Sequence, residues 1–457
     1  RERVDRIEAD ASARSARIRA ELAPVDLESV TRAVPAGATL VEYAVYRPYD
    51  PARRAYGGAR YVCFTLGSDG TIRWADLGDA AEIDALVAAF RASLRREPGK
   101  PLSDLRKEVK PRARALDARI FEPVRRLAGK STRLLVAPDG QLSLVPFDAL
   151  VDARGRYATE TYEISYLTSG RDLVRLALHG ESRQPGSVVA NPDFGGGAAA
   201  AGRTRDIVQT TAESDPSKPA TDLLSHTFFR PLPGTAEEAA ALHTLLPDAT
   251  VLTGQGATKT ALVALEGPRV LHIATHGFFL AGERPKAGSG RDIAPSILGG
   301  APVVEGDDPL LRSGLAMAGA NIERGGDAIL TSLEAAGLDL WGTKLVVLSA
   351  CDTGVGEVRN GDGVYGLRRA LVLAGSETQV MSLWPVSDAG TRDLMIGYYR
   401  RLTAGEGRSA AMRSMRLAFL RDPKRAHPSM WSGFIVSGAW SPLVPEKQPT
   451  PTQSRSR

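Results

Sequence analysis

The chain has 457 residues, 43% of them hydrophobic and 24% charged, and a formal net charge of +5. That is an ordinary soluble composition with length for two or three domains. Nothing in the small charge and scattered arginines demands a nucleic-acid partner, and no apolar run approaches the roughly 20 residues that cross a bilayer.

The start is polar and Arg-rich, without a secretory signal pattern. It opens on Arg rather than Met, as expected of a piece of a longer polypeptide. Residues 1–22 place Ile7, Ala11, Ile18 and Leu22 on the thin apolar stripe of a polar helix, marginal on its own. Residues 29–186 read as a first subdomain. Strands are predicted over 40–47 and 61–77, the second folding as a hairpin around Ser68-Asp69-Gly70. Amphipathic helices are predicted over 80–96 and 102–127. Residues 133–150 read as a strand, a turn and a second strand, and 161–169 as another strand. No nucleophile is paired with a base here, so a structural role is expected. Cys63 in YVCFTL reads as core.

Residues 187–442 read as a second subdomain. Strands over 187–194, 249–254, 270–277, 344–351, 378–386 and 434–440 alternate with helical patterns over 235–246, 258–266, 329–337, 363–375 and 388–421. Such alternation predicts an α/β fold with a doubly wound, mainly parallel sheet. Two stretches interrupt it. Residues 195–226, rich in Gly, Ala, Thr and Ser, are expected to form a mobile loop. Residues 281–326, rich in Gly and Pro, are expected to form a gate or a substrate-binding wall, with a solvated insertion as the plain alternative. The tail, 443–457, has a disordered composition.

Two strand ends carry the chemistry. VLHIATHG stops at His276-Gly277, and KLVVLSACDTG carries Cys351. Both are β-branched apolar runs, the pattern of strands buried on both faces of a parallel sheet. The ends of adjacent strands in such sheets line the ligand crevice. If these strands are neighbours, an imidazole faces a thiol, the minimum kit for an activated nucleophile. A free thiol has a pKa of roughly 8.5 and needs that help at neutral pH. The backbone N–H groups of Cys351 and Gly277 are candidate oxyanion donors. The order His then Cys, with Ala350 before Cys351, follows the caspase signature, although the gap is 75 residues rather than about 50, which suggests an inserted loop. The two cysteines suit a reducing cytoplasm, where a disulfide between them is disfavoured.

Two weaker signals have plainer readings. His272 and His276 form H-x-x-x-H, but four strand residues span roughly 13 Å, too far for one metal ion. His272 is expected to be a buried, hydrogen-bonded histidine. Gly361-Asp362-Gly363-Val364-Tyr365-Gly366 matches G-x-G-x-x-G, yet its first Gly does not directly follow a strand as a dinucleotide site requires. It reads as a Gly-rich entry to a helix.

Beyond the dyad, seven segments resemble, in order, those of a CHAT domain, a caspase-like module often found behind TPR repeats in bacteria. They are LSLVPFDAL (142–150), LPGTAEEAAAL (232–242), LHIATHGFF, DPLLRSGLAMAGAN (308–321), LVVLSACDTGVG, GDGVYGLRRALVLAGSETQVMSLWPVSD (361–388) and HPSMWSGFIVSG (427–438). One departure is Asp352, where the family often has Glu. The resemblance implies a caspase-like three-layer sandwich preceded by a degenerate caspase-like half, and a clan CD cysteine endopeptidase with His276 and Cys351 as its dyad. It implies protein or peptide substrates cut at limited sites, with no metal or organic cofactor, no membrane and no nucleic acid. A regulatory partner or fused TPR or sensor region would control it, residues 1–28 then ending a TPR array. Bacterial defence or regulated cell death would be its setting. In this reading a substrate peptide adds as a strand along Ser382-Leu383-Trp384-Pro385, though Trp384 reads equally well as core. Ser349 stands where Arg-specific relatives place Asp, which argues against a strictly basic P1 residue, and Asp352 and Asp388 could line the pocket. The rival readings are a non-catalytic caspase-like scaffold that docks protein partners and, disfavoured by its misplaced Gly motif, a nucleotide-binding α/β protein.

Overall fold

The computed structural model describes residues 25–94, 102–178, 180–196, 205–206, 224, 227–280, 309–322, 327–349, 362–384, 386 and 388–443. The reading of 1–22 as a helix lies outside these residues, as do most of 195–226, expected to form a mobile loop, residues 281–308 and 323–326 of the stretch 281–326 expected to form a gate or binding wall, and all but Leu443 of the tail 443–457.

The first half supplies β1 (Ala38–Tyr46), a small hairpin of β2 (Tyr49–Asp50) and β3 (Ala55–Tyr56), then β4 (Arg60–Gly67), β5 (Ile72–Asp79), β6 (Arg133–Ala137) and β7 (Glu163–Tyr166). The second half supplies β8 (Ser187–Pro192), β9 (Arg205–Asp206), β10 (Thr227–Phe228), β11 (Thr250–Gly254), β12 (Val270–Ala274), β13 (Gly277–Phe279), β14 (Ser313–Ala316), β15 (Ile329–Thr331), β16 (Leu345–Leu348), β17 (Thr378–Ser382) and β18 (Phe434–Gly438). Eleven of these make one sheet in the order β11-β8-β12-β16-β17-β18-β7-β6-β1-β4-β5. Only β17–β18, β1–β4 and β4–β5 pair antiparallel, so the expected mainly parallel α/β fold holds.

The sequence explains the central strands. Every residue of Val270–Ala274 and of Leu345–Leu348 is buried, as expected of strands covered on both faces. From β8 the chain runs outward to β11, whereas from β12 it runs the other way to β16. The carboxyl ends of β8 and β12 therefore flank a topological switch point, where open α/β sheets place their ligand crevice.

Several elements differ from the sequence expectations. The strand expected to reach Gly277 stops at Ala274. Gly277 instead opens β13, in a separate antiparallel sheet ordered β13-β14-β15. Residues 133–150 contain one strand, not two. After β6 the chain makes 3-10 turns at Gly140–Leu144 and Phe147–Ala149. Asp139 caps the first, accepting from Gly140 N at 2.8 Å, and Gly140 sits at φ +55. Tyr166 Oη takes the Phe147 N–H at 2.8 Å. The apolar Leu142, Leu144 and Val145 are thus buried without a ladder. The helix expected over 388–421 is two, Asp388–Thr403 and Arg408–Arg421, parted at Gly405, which holds φ +92.

The expected boundary at residue 186 separates two halves of one sheet. Strand β7 of the first half pairs with β18 of the second at Tyr166 and Ser437, and one hydrophobic cluster draws on both. Asp148 and Arg416, each about 1% exposed, form an ion pair of 2.6 Å across the junction. Arg416 Nη2 also donates to Phe434 O at 2.7 Å, and the Ser165 and Ser409 hydroxyls lie 2.6 Å apart. Burial pushes the Asp148 carboxyl up from its usual range, and the Arg416 charge opposes that shift.

Breaking a buried pair on one side leaves an uncompensated charge. Arg416→Met is expected to lower the unfolding free energy by about 3–5 kcal/mol in urea titrations, and Asp148→Leu added to it to recover most of that loss. Equal losses in the single and double variants would show that the pair is not what joins the halves.

Candidate active site

His276 follows β12 by two residues and enters the crevice at the switch point. The turn that carries it is tied to β14. Thr275 Oγ1 donates to Ala316 O, and Ala316 N donates to His276 O at 2.9 Å. The imidazole lies in an aromatic slot, 5.2 Å from the Phe194 ring and 5.8 Å from the Phe229 ring. Phe194 follows β8 and Phe229 follows β10, so the slot draws on both flanks of the crevice. His276 is 0% exposed.

The ring's orientation is informative. His276 Nε2 lies 2.7 Å from the carbonyl oxygen of Arg230. A carbonyl can only accept, so Nε2 carries a proton and donates it. Asn321 fixes this arrangement. Its Oδ1 accepts from Phe229 N at 2.9 Å, its Nδ2 donates to Phe229 O at 2.9 Å and Gly195 O at 3.0 Å, and its own N–H donates to Phe194 O at 2.8 Å. One amide therefore pins both segments that wall the imidazole. The sequence reading missed Phe194, Phe229, Arg230 and Asn321. Only the Asn that ends DPLLRSGLAMAGAN gave a signal, and nothing in one sequence says what it holds.

Strands β12 and β16 are parallel neighbours, with Ile273 opposite Leu348, and Ser349 N donates to Ile273 O at 2.9 Å. Ser349 is the last described residue before the nucleophile segment. It is buried, and its Oγ donates to the Glu238 carboxylate at 2.9 and 3.0 Å. Cys351 and Asp352 lie outside the described residues, and so does the Cys351 N–H expected to serve as an oxyanion donor. Gly277, the other expected donor, stands opposite Leu315 at the start of β13.

Ser382 and Trp384 fall at and just past the end of β17. This strand is interior to the sheet. It pairs with β16 through Met381 and Leu348 and with β18 through Ser382 and Phe434, and Leu383 N donates to Gly433 O at 2.8 Å. Strand addition by a peptide is thereby confined to backbone beyond Leu383. Trp384 is 9% exposed, and its Nε1–H meets no acceptor among the described residues. Asp388 opens the Asp388–Thr403 helix.

The remaining candidates are structural. Cys63 is buried in β4, and burial pushes its thiol up to about 11. It stays un-ionised near neutrality. His272 Nδ1 lies 3.2 Å from Tyr399 Oη and Nε2 lies 3.2 Å from Glu238 Oε1. No group of three or more His, Cys, Asp or Glu among the described residues could hold a metal ion, and no helix among them is long and apolar enough to cross a membrane.

Comparison with known proteins places this geometry in a family. Tetratricopeptide repeat protein 28 of Mus musculus is 26% identical over 331 residues, covering 68% of this chain and 12% of that protein. The Homo sapiens protein of the same name is 25% identical with the same coverage, so the chain spans only 12% of the length of the curated relatives it matches. Among solved structures, the Saccharomyces cerevisiae separase–securin complex matches 90% of this chain and 31% of that one, with a TM-score of 0.42 and 9% identity. The complex of Porphyromonas gingivalis RgpB pro- and mature domains matches 80% and 77%, with a TM-score of 0.38 and 13% identity. Residues 110–439, well over half of the sequence and including both His276 and Cys351, match the CHAT domain model; the chain belongs to the CHAT domain family.

Proposed function

We propose that this chain is a cysteine endopeptidase in which His276 is the general base and Cys351 the nucleophile. The observation that carries the reading is the anchoring of His276, whose Nε2–H donates to Arg230 O at 2.7 Å and so fixes the ring beside the end of β16. The β12–β16 register supports it. Ile273 stands opposite Leu348, and His276 and Cys351 each follow that pair by three residues in their own strand's chain. Membership of the CHAT family agrees.

In the proposed reaction, the Cys351 sulfur attacks a peptide carbonyl while Nδ1 takes the thiol proton. The N–H groups of Cys351 and Gly277 stabilise the oxyanion. Nδ1 returns the proton to the leaving amine, and water then hydrolyses the thioester to free acid and thiol. The step balances without a metal or organic cofactor. A peptide bound past Leu383 would meet the Trp384 Nε1–H as a donor for one of its carbonyls, and Ser349, Ser382, Asp352 and Asp388 complete the proposed substrate-binding set. Substrates would be proteins cut at limited sites in a reducing cytoplasm. A protein partner or a fused TPR region would gate activity, which the repeat-protein relatives support. Bacterial defence or regulated cell death would be its setting.

A second reading, a non-catalytic scaffold that docks protein partners, is favoured by one observation, the complete burial of His276. A thiol-reactive peptidyl probe with site-resolved mass spectrometry separates the two. Under the peptidase reading Cys351 is labelled, Cys63 is not, and His276→Ala slows labelling by about 10²–10⁴. Equal labelling of both cysteines, or none, supports the scaffold.

The aromatic slot yields a further expectation. Asn321→Ala frees the Phe229–Arg230 segment and so the ring it orients. Cys351 labelling should fall roughly tenfold, the equivalent of one lost hydrogen bond, with the thermal transition still cooperative. An unchanged rate would mean that Arg230 O does not set the base.

A further inference from the structure

A buried polar chain lies beneath the site and shares only Ser349 with the substrate-binding set proposed above. It begins at Tyr399 on the Asp388–Thr403 helix and runs through His272 of β12 and Glu238 of the Pro233–Leu245 helix to Ser349 at the end of β16. All four residues are 2% exposed or less. Burial, then Tyr398 and Glu238, hold the Tyr399 hydroxyl far above its usual pKa, so it remains an O–H. It lies 3.2 Å from His272 Nδ1, and His272 Nε2 lies 3.2 Å from Glu238 Oε1 without hydrogen-bond geometry. From the other side Ser349 Oγ donates to the Glu238 carboxylate. Glu238 thus accepts from Ser349 at the end of β16 and touches His272 of β12.

We propose that Glu238 is a positioning residue that fixes the spacing and register of the β12 and β16 ends, and through them the separation of the His276 base from the Cys351 thiol. The inference rests on the dyad reading above. The energetics point the same way. Removing a carboxylate from water is expensive unless it is paired. Glu238 is 2% exposed, and the contacts it makes are a serine hydroxyl and an imidazole rather than a guanidinium or ammonium. Arg392 of the packed helix is engaged by Glu237 and Asp393 instead. A Leu of similar volume would fill the space more cheaply, but it would not accept from the buried Ser349 hydroxyl. The tie falls at the last residue before the nucleophile segment, where a small shift of strand end changes the reach of the thiol.

The test reads Cys351 directly and does not need a known substrate. The full chain is treated with iodoacetamide at neutral pH, and alkylation is followed by mass spectrometry at each cysteine. Buried Cys63 is the internal reference. Glu238→Ala removes the acceptor of the buried Ser349 hydroxyl and the carboxylate beside His272, and should slow Cys351 alkylation by about tenfold or more. Glu238→Gln, which keeps an acceptor for Ser349, should stay within about threefold of wild type. Ser349→Ala removes one hydroxyl and leaves the helix intact, and it should fall between them. If Glu238→Ala proves too unstable to assay, the other two variants decide. Wild-type rates in Glu238→Ala and Ser349→Ala, alongside a slowed His276→Ala, would overturn the positioning role and leave the dyad standing. An unchanged rate in His276→Ala would remove the dyad and this inference together.

Discussion

The hydrogen bond from His276 Nε2 to the carbonyl of Arg230 fixes the orientation of the imidazole on which the proposed chemistry depends. An imidazole free to rotate offers either nitrogen as donor or acceptor. One anchored on a carbonyl offers a base on a single defined edge. The anchor is itself built. Arg230 follows Phe229, whose N–H and carbonyl are both held by Asn321, and Asn321 also reaches Phe194 and Gly195 across the crevice. The ring is therefore oriented by backbone, and the backbone by one amide. Substituting the Arg230 side chain would leave the carbonyl in place, whereas substituting Asn321 would not.

The sheet extends this logic over a longer range. A crevice at a switch point is as rigid as the strands that flank it. Strands β8, β12, β16 and β17 are clamped on one side by β18, which runs antiparallel to β17 and parallel to β7. The first half, which carries no dyad, thus completes the sheet that holds the site. A buried ion pair marks the seam. Asp148 of the first half meets Arg416 of the second. Such a pair contributes little net stability compared with apolar packing, yet it strongly penalises separation. Its placement where the halves meet suits a junction that must stay in register.

What could be read from the sequence follows physical range. The β-branched runs around His272 and Val347 identified buried parallel strands, because strand burial is a property of consecutive residues. Their ends were less legible, since β12 stops at Ala274 and β16 at Leu348, but the structure makes those strands neighbours. Residues 142–150 misled for the same reason. Their apolar spacing suits a strand, and only Asp139, Gly140 and the distant Tyr166 hydroxyl turn them into 3-10 turns. The interior position of β17 was hidden because its second neighbour, β18, comes from residues more than 50 positions on. Glu238 looked like one of two glutamates on a helix. That one of them faces inward to two strand ends is a tertiary fact.

The burial of His276 invites a structural reading, and it need not be one. A base that acts on a protein thiol exchanges its proton with sulfur, not with bulk water, so the ring itself requires no solvent contact. Exclusion of water strengthens the polarisation of Nε2–H by Arg230 O, since hydrogen bonds gain in a low-dielectric setting. It also keeps water from competing for Nδ1. The contrast with Cys63 shows the other side of the argument. That thiol is buried among strand residues with no base beside it, and burial raises its pKa to about 11. Burial alone silences a thiol. Burial of the partner imidazole, with its tautomer fixed by a carbonyl, is what would let a thiol beside it ionise during attack.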